Sequence, residues 1–196
     1  MSLNKIVGIF IVSFACYLAA ITSNSLAGPA YVGVDGCKCH KAEISDWERS
    51  KHAKAFKRLR AGKAKSAKKK AGLDPKKDYT TDTKCLKCHT TGYGQGGFKD
   101  ETSTPDMVGL GCEVCHGAGA SYRVIHKDNG LGFSKAEAKA AGQLYGSIDP
   151  AVCKSCHDHA DNPFKASVGE KYIFDLNEAL KNSKAFHEIY EQEGIH

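Results

Sequence analysis

The chain has 196 residues, 26% of them charged and only 9% aromatic, a length that fits one domain or two small ones. That composition excludes a large multidomain assembly and a deep core built from amino acids alone. The net charge of +6 comes from 28 Lys and Arg against 22 Asp and Glu, and nine cysteines are many for so short a sequence.

The opening stretch, MSLNKIVGIFIVSFACYLAAITSNSLA, places one Lys ahead of an apolar run from Ile6 to Ile21, with small residues at Ser25 and Ala27. This is the pattern of a secretory signal peptide with an A-x-A-like cleavage site. Cleavage after Ala27 would send residues 28–196 to an oxidising compartment, periplasmic or extracellular. A membrane anchor is the rival reading, because the apolar run is close to the shortest that spans a bilayer. A lipid anchor on Cys16 fits less well behind Ser13-Phe14-Ala15. GCKCHKAE follows at 36–43, with Cys37 and Cys39 ahead of His40. ISDWERSKHAKAFKRLR, 44–60, predicts a helix carrying Trp47 and His52. From Lys51 to Lys77 there are twelve Lys and Arg and one acidic residue, Asp74, a local charge of +11.

CLKCH then sets Cys85, Cys88 and His89 in line, and TTGYGQGGFKDETSTPDM, 90–107, is turn-rich loop. CEVCH holds Cys112, Cys115 and His116, and His126 comes ten residues later behind Val124-Ile125. CKSCH holds Cys153, Cys156 and His157, with His159 two residues on. DLNEALKNSKAFHEIYEQEG, 175–194, predicts a helix with Asp175 as N-cap, Gly194 as stop and His187 inside it. Nowhere does a β-alternation of useful length occur.

Once Cys16 leaves with the signal, eight cysteines remain in four tight pairs, and a histidine follows each pair at once. An even cysteine count in an exported chain usually means disulfides, but a disulfide framework has no use for four such histidines. Zinc sites use C-x-x-C pairs too, yet they usually space their histidines apart to close a tetrahedron. C-x-x-C-H is the pattern of covalent haem attachment: the thiols add to the haem vinyl groups and the imidazole becomes the proximal iron ligand. Three motifs fit, and the first has a single residue between its cysteines. Cys39 keeps its relation to His40, whereas Cys37 must reach over a tighter loop that Gly36 eases. The opposing reading is a site that has lost its haem, with Cys37 and Cys39 as spare thiols. Four covalent haem c groups would supply the apolar surface the side chains lack. The expected fold is mainly α, helices and long loops wrapped around four haems, with little or no β. Motif spacings of 48, 27 and 41 residues argue against a repeat array.

Five histidines are left as sixth ligands. His52 has Phe56 four residues on, and His187 lies between Phe186 and Ile189-Tyr190, so both have the setting of an inward ligand. His126 reads equally well as ligand or surface residue. His159 is too near His157 to cross the same haem face, and His196 ends the chain, where fraying is the rule.

HAKAF (52–56), KAGLDPKKDYTTDTKCLKCH (70–89), GLGCEVCHGAG (109–119) and KAFHEIYEQEG (184–194) together resemble the tetrahaem cytochrome c-554 family, electron acceptors of hydroxylamine oxidation. Trp47, Asp74-Pro75 and Tyr190 extend the likeness beyond the haem residues, across nearly the whole mature chain. The resemblance implies a largely helical fold around two stacked haem pairs. It further implies His126 opposite His40, His52 opposite His116 and His187 opposite His157, with no protein ligand across the iron from His89. Met107 is the alternative, thioether, ligand for that iron. The first motif departs from the family's full C-x-x-C-H.

The function expected is electron transfer by an exported domain, residues 28–196, holding four c-type haems between donor and acceptor proteins. Irons with two histidines have no free position and only take and pass electrons. An open iron at His89 would allow a different activity, reduction of nitric oxide or a similar small ligand. A third class is a subunit of an extracellular cytochrome filament or another homo-oligomer, in which a neighbouring chain completes an iron. The basic run has three readings: a solvated helix face, a counterweight to haem propionates, and a surface that steers an acidic redox partner. Nucleic acid is not an expected partner for an exported haem protein, and the membrane enters only through an uncleaved signal segment.

Overall fold

The computed structural model describes residues 30–128, 134–144 and 150–181, with His187 beyond them; of 126–128 it describes the backbone alone. The expected signal segment, residues 1–27, Gly194 and His196 therefore lie outside the described residues, as does the side chain of His126.

A 3-10 turn, Val34–Cys37, leads into α1, Lys41–Arg49. Glu43 in the first turn of α1 and Arg49 in the last suit the helix dipole. The continuous helix expected over 44–60 is not formed. Ser50 is extended, with ψ 165°, and its buried hydroxyl accepts the Ala53 N–H at 3.1 Å. The chain turns there and resumes as a 3-10 turn, Phe56–Leu59. This is the competition between a serine side chain and the helical backbone.

Helix α2 is Lys65–Lys70 and α3 is Thr83–Leu86. The carboxylate of Asp82 caps α3, accepting from the Lys84 N–H at 2.9 Å and the Cys85 N–H at 3.4 Å. Residues 90–107 form turns ending in a short 3-10 segment, Pro105–Met107. α4, Cys112–His116, and α5, Ala120–Asp128, follow. α6, Lys135–Ala140, opens on a capping box between Ser134 and Glu137. α7, Pro150–His157, precedes α8, Leu176–Leu180, which Asp175 caps through the Glu178 N–H at 3.0 Å. The N-cap read at Asp175 is thus present. An isolated antiparallel bridge, Thr90 to Val108, is the nearest thing to a sheet, and no strand occurs among the described residues. The mainly α architecture is borne out.

The apolar core is one cluster: Phe56, Leu59, Tyr79, Leu86, Phe98 and Met107. Its rings pack closely, with Phe56 and Phe98 centroids 5.5 Å apart. Met107 is 8% exposed inside this cluster, so its thioether is packing material for the second motif's surroundings. At the edge of the core, residues 109–110 cross beneath the His52 segment. A side chain at Gly109, where φ is 80°, would meet the Ala53 carbonyl oxygen at 2.5 Å, so the crossing requires glycine. The Leu110 N–H donates to His52 O at 3.2 Å, and Trp47 Nε1–H donates to Leu110 O at 2.7 Å.

Candidate haem sites

Each cysteine–histidine motif is placed by a short helical turn with a defined anchor. In the first motif, the turn Val34–Cys37 tolerates no side chain at 36, where a Cβ would sit 2.5 Å from Val32 Cγ2. The Gly36 carbonyl accepts from Arg123 Nε at 3.0 Å, which ties the motif to α5. Cys37 is half-buried and its thiol is hydrogen-bonded to Cys112 of the third motif; Cys39 is exposed. That hydrogen bond, then burial, pushes the Cys37 thiol far up, while Cys112 is lowered by the same contact. The shortened first motif therefore sends its two sulfurs to different surroundings.

In the second motif, Leu86 is locked into the core and α3 is capped by Asp82, so Cys85, Cys88 and His89 have a rigid base. His89 Nδ1 lies 2.8 Å from the Ala55 carbonyl oxygen. A carbonyl only accepts, so the proton sits on Nδ1 and the Nε2 lone pair is free for a metal. Burial lowers the pKa of His89, which favours the neutral, ligating form. Burial pushes the Cys85 thiol up to about 11, and Cys88 donates its thiol hydrogen to Cys156. That hydrogen bond lowers Cys156 to about 7.

Helices α4 and α7, which carry the third and fourth motifs, pack against each other. Two pairs of imidazoles face one another there. His52 and His157 have ring centroids 6.3 Å apart at 69°, and His116 and His187 have theirs 6.3 Å apart at 23°. A metal–nitrogen bond of about 2 Å on each side, added to the two ring radii, accounts for a gap of that size. The partners differ from those the resemblance implied: His52 faces His157 rather than His116, and His187 faces His116 rather than His157. The Gly109–Leu110 crossing holds the backbone of the His52 segment, a tertiary contact no motif spacing contains. The far face of His157 is stacked on Phe174, centroids 4.5 Å apart. His159 is turned away, with its Nδ1 accepting the Asp161 N–H at 3.0 Å. His40 lies 4.0 Å from Glu43. His126 belongs to α5, but its pairing with His40 falls outside the described side chains.

These residues fit haem c better than a bare metal. Among the described residues no three His, Cys, Asp or Glu side chains converge as a protein-only metal site requires. Facing imidazoles beside thiol pairs are instead what remains when a macrocycle supplies the other four ligands. His116 Nδ1 is buried without a partner from the polypeptide, and Leu144, whose N–H donates to His116 O, is 45% exposed.

Sequence reading did not single out four contributors. Asp82 and the Ala55 carbonyl orient the second motif. The Thr91 hydroxyl donates to Gly109 O at 2.9 Å and accepts the Gly111 N–H at 2.8 Å, holding the strand-like entry to the third motif. Glu113 lies within C-E-V-C-H and is 2% exposed; a carboxylate placed between two haem cysteines was its available signal.

A family model described as cytochrome c554 and c-prime matches residues 36–117. Cytochrome c-554 of Nitrosomonas europaea is 38% identical over 203 residues, covering 92% of this chain and 86% of that protein. A solved structure of the reduced state of cytochrome c554 from Nitrosomonas europaea superposes with a TM-score of 0.76 at 36% identity, covering 86% of this chain and 89% of that one.

Proposed function

Because the chain belongs to the cytochrome c-554 family, a family of multihaem electron-transfer cytochromes, we propose that it is a periplasmic carrier with four covalent haems. In this reading residues 1–27 are an export signal and 28–196 the haem domain. Cys37, Cys39, Cys85, Cys88, Cys112, Cys115, Cys153 and Cys156 hold the haem edges, and His40, His89, His116 and His157 are proximal ligands. His52 and His187, which face His157 and His116, are distal ligands, and the resemblance assigns His126 to His40. The observation that carries the proposal is the pair of facing imidazoles, each at 6.3 Å, beside C-x-x-C-H motifs.

Haem c, when bound, supplies one-electron chemistry at its iron. The polypeptide's part is placement. Cys37 touches Cys112, the third and fourth motifs' helices pack together, and Cys156 touches Cys88. Motifs remote in sequence are thereby neighbours in the order first, third, fourth, second, which supports one continuous electron path. Arg60 pairs with Glu101 and Lys68 is buried, while most of the remaining cations between Lys51 and Lys77 are exposed. Such a surface suits an acidic redox partner and raises its rate of encounter. No helix among the described residues is long and apolar enough to cross a membrane.

Intact mass of the exported protein tests the proposal: residues 28–196 plus four haems is expected, and three haems would remove the first site. A second reading has its own observation. Among the described residues no second imidazole ring faces His89, and this favours an iron open to a small ligand such as nitric oxide. Electron paramagnetic resonance of the oxidised protein should then show one high-spin iron that nitric oxide perturbs. Four low-spin irons in dilute monomer would leave a carrier only; a high-spin signal that disappears on assembly would favour the filament.

A further inference from the structure

Glu113 is 2% exposed, and its carboxylate accepts three backbone N–H groups: Val32 at 2.9 Å, Gly33 at 2.8 Å and Gly119 at 2.6 Å. Both oxygens act only as acceptors, which is the pattern of an ionised carboxylate. Among the described residues no Lys, Arg or His nitrogen lies within ion-pair distance of it. Arg123, the cation near by, spends its Nε on Gly36 O. A buried anion without a cation is costly unless something else compensates it. Three amide dipoles do part of this, and their placement has a second effect. Val32 and Gly33 lead into the first haem motif, Gly119 closes the loop after the third, and Glu113 itself sits between the third motif's cysteines. The charge is felt around it: burial first, then Glu113, raises the Tyr31 phenol, and it adds to the rise at Tyr122 and Cys37.

We propose that Glu113 is a positioning residue that clamps the first and third haem motifs together and, as a fixed negative charge between them, lowers the reduction potentials of the two haems attached there. Ferric haem carries one more positive charge than ferrous, so a nearby anion in a poorly screened site favours the oxidised state. The other two haems, attached at Cys85–Cys88 and Cys153–Cys156, lie beyond this clamp. The inference rests on haem attachment at the first and third motifs. A wild-type mass lacking either haem would defeat that attachment, independently of any role for Glu113.

The test is a spectroelectrochemical titration of the holoprotein, with individual haems assigned by paramagnetic resonance, in wild type, Glu113→Gln and Glu113→Asp. Glu113→Gln removes the charge and keeps an acceptor: the first and third haems should shift to higher potential while the second and fourth stay in place. Glu113→Asp keeps the charge and shortens the reach, so thermal stability should fall with all four potentials retained. Unchanged potentials in Glu113→Gln with four haems attached would overturn the proposal, as would equal shifts of all four. If Glu113→Gln yields no holoprotein, Glu113→Ala removes the same charge: a rise confined to the first and third haems supports the proposal, and four unchanged potentials overturn it.

Discussion

Replacing Lys68 by Met is the sharpest test of how the fold around the second motif is held. Lys68 is 5% exposed although it lies in the basic run. Its ammonium donates to Leu59 O at 3.0 Å, Arg60 O at 2.7 Å and Lys77 O at 3.3 Å, and sits 5.0 Å from the Tyr79 ring centre. It therefore laces the 3-10 turn carrying Phe56 and Leu59 to α2 and to the approach of Tyr79. Methionine keeps the length and apolar stem of lysine, so the difference isolates the charged head. Hydrogen bonds to a charged group are worth about 1.5–3 kcal/mol each. Counting only the two shorter bonds, Lys68→Met should destabilise the protein by about 3–6 kcal/mol. Guanidinium unfolding of the ferric holoprotein, followed by far-ultraviolet circular dichroism, should show a lower midpoint at unchanged slope. A loss below about 1 kcal/mol would refute the reasoning, because it would place the Lys68 head in competition with water like that of a surface lysine.

Cys37→Ala should leave the first haem attached through Cys39, giving an intact mass with four haems; a three-haem mass would show that the short bridge carries the attachment. Asp82→Ala removes the cap on α3 and should cost about 1 kcal/mol in denaturant unfolding, with loss confined to the second motif's surroundings in hydrogen exchange. His52→Ala should open the iron of His157 and move the nuclear resonances of Phe174, which stacks on that ring. His187→Ala should open the iron of His116 and leave Phe174 unmoved; the reverse result would restore the pairing that the resemblance implied.

The haem c cofactor was legible because covalent attachment is local chemistry, written in five consecutive residues. The helical character and the Asp175 cap were legible for the same reason, since caps and turns are settled within a few residues. The Ser50 break was harder to see, because a serine hydroxyl competing for the Ala53 N–H overrides a favourable helical pattern. Lys68 looked like any other residue of the basic run; only the convergence of three carbonyls from separate segments draws it inside. Which rings face which, His52 with His157 and His116 with His187, followed neither spacing nor resemblance, because it is set by tertiary packing. Glu113 was visible as a letter but not as a clamp, since its three donors come from residues 32, 33 and 119.

The contacts between cysteines of different motifs also bear on how the protein is made. Cys37 lies against Cys112 and Cys88 against Cys156, and the Cys88 contact lowers the pKa of the Cys156 thiol to about 7. A thiolate held against a second thiol is the reactive arrangement for oxidation. If the polypeptide folded bare in an oxidising compartment, each of these contacts would invite a cross-link, and two such bonds would consume one attachment point at every motif. If all four motifs carry haem, biosynthesis is therefore a race in a fixed order: ligation of the cofactors to an open chain first, collapse to the native arrangement second. A strain whose ligation machinery is slow should accumulate a mis-bridged, colourless product.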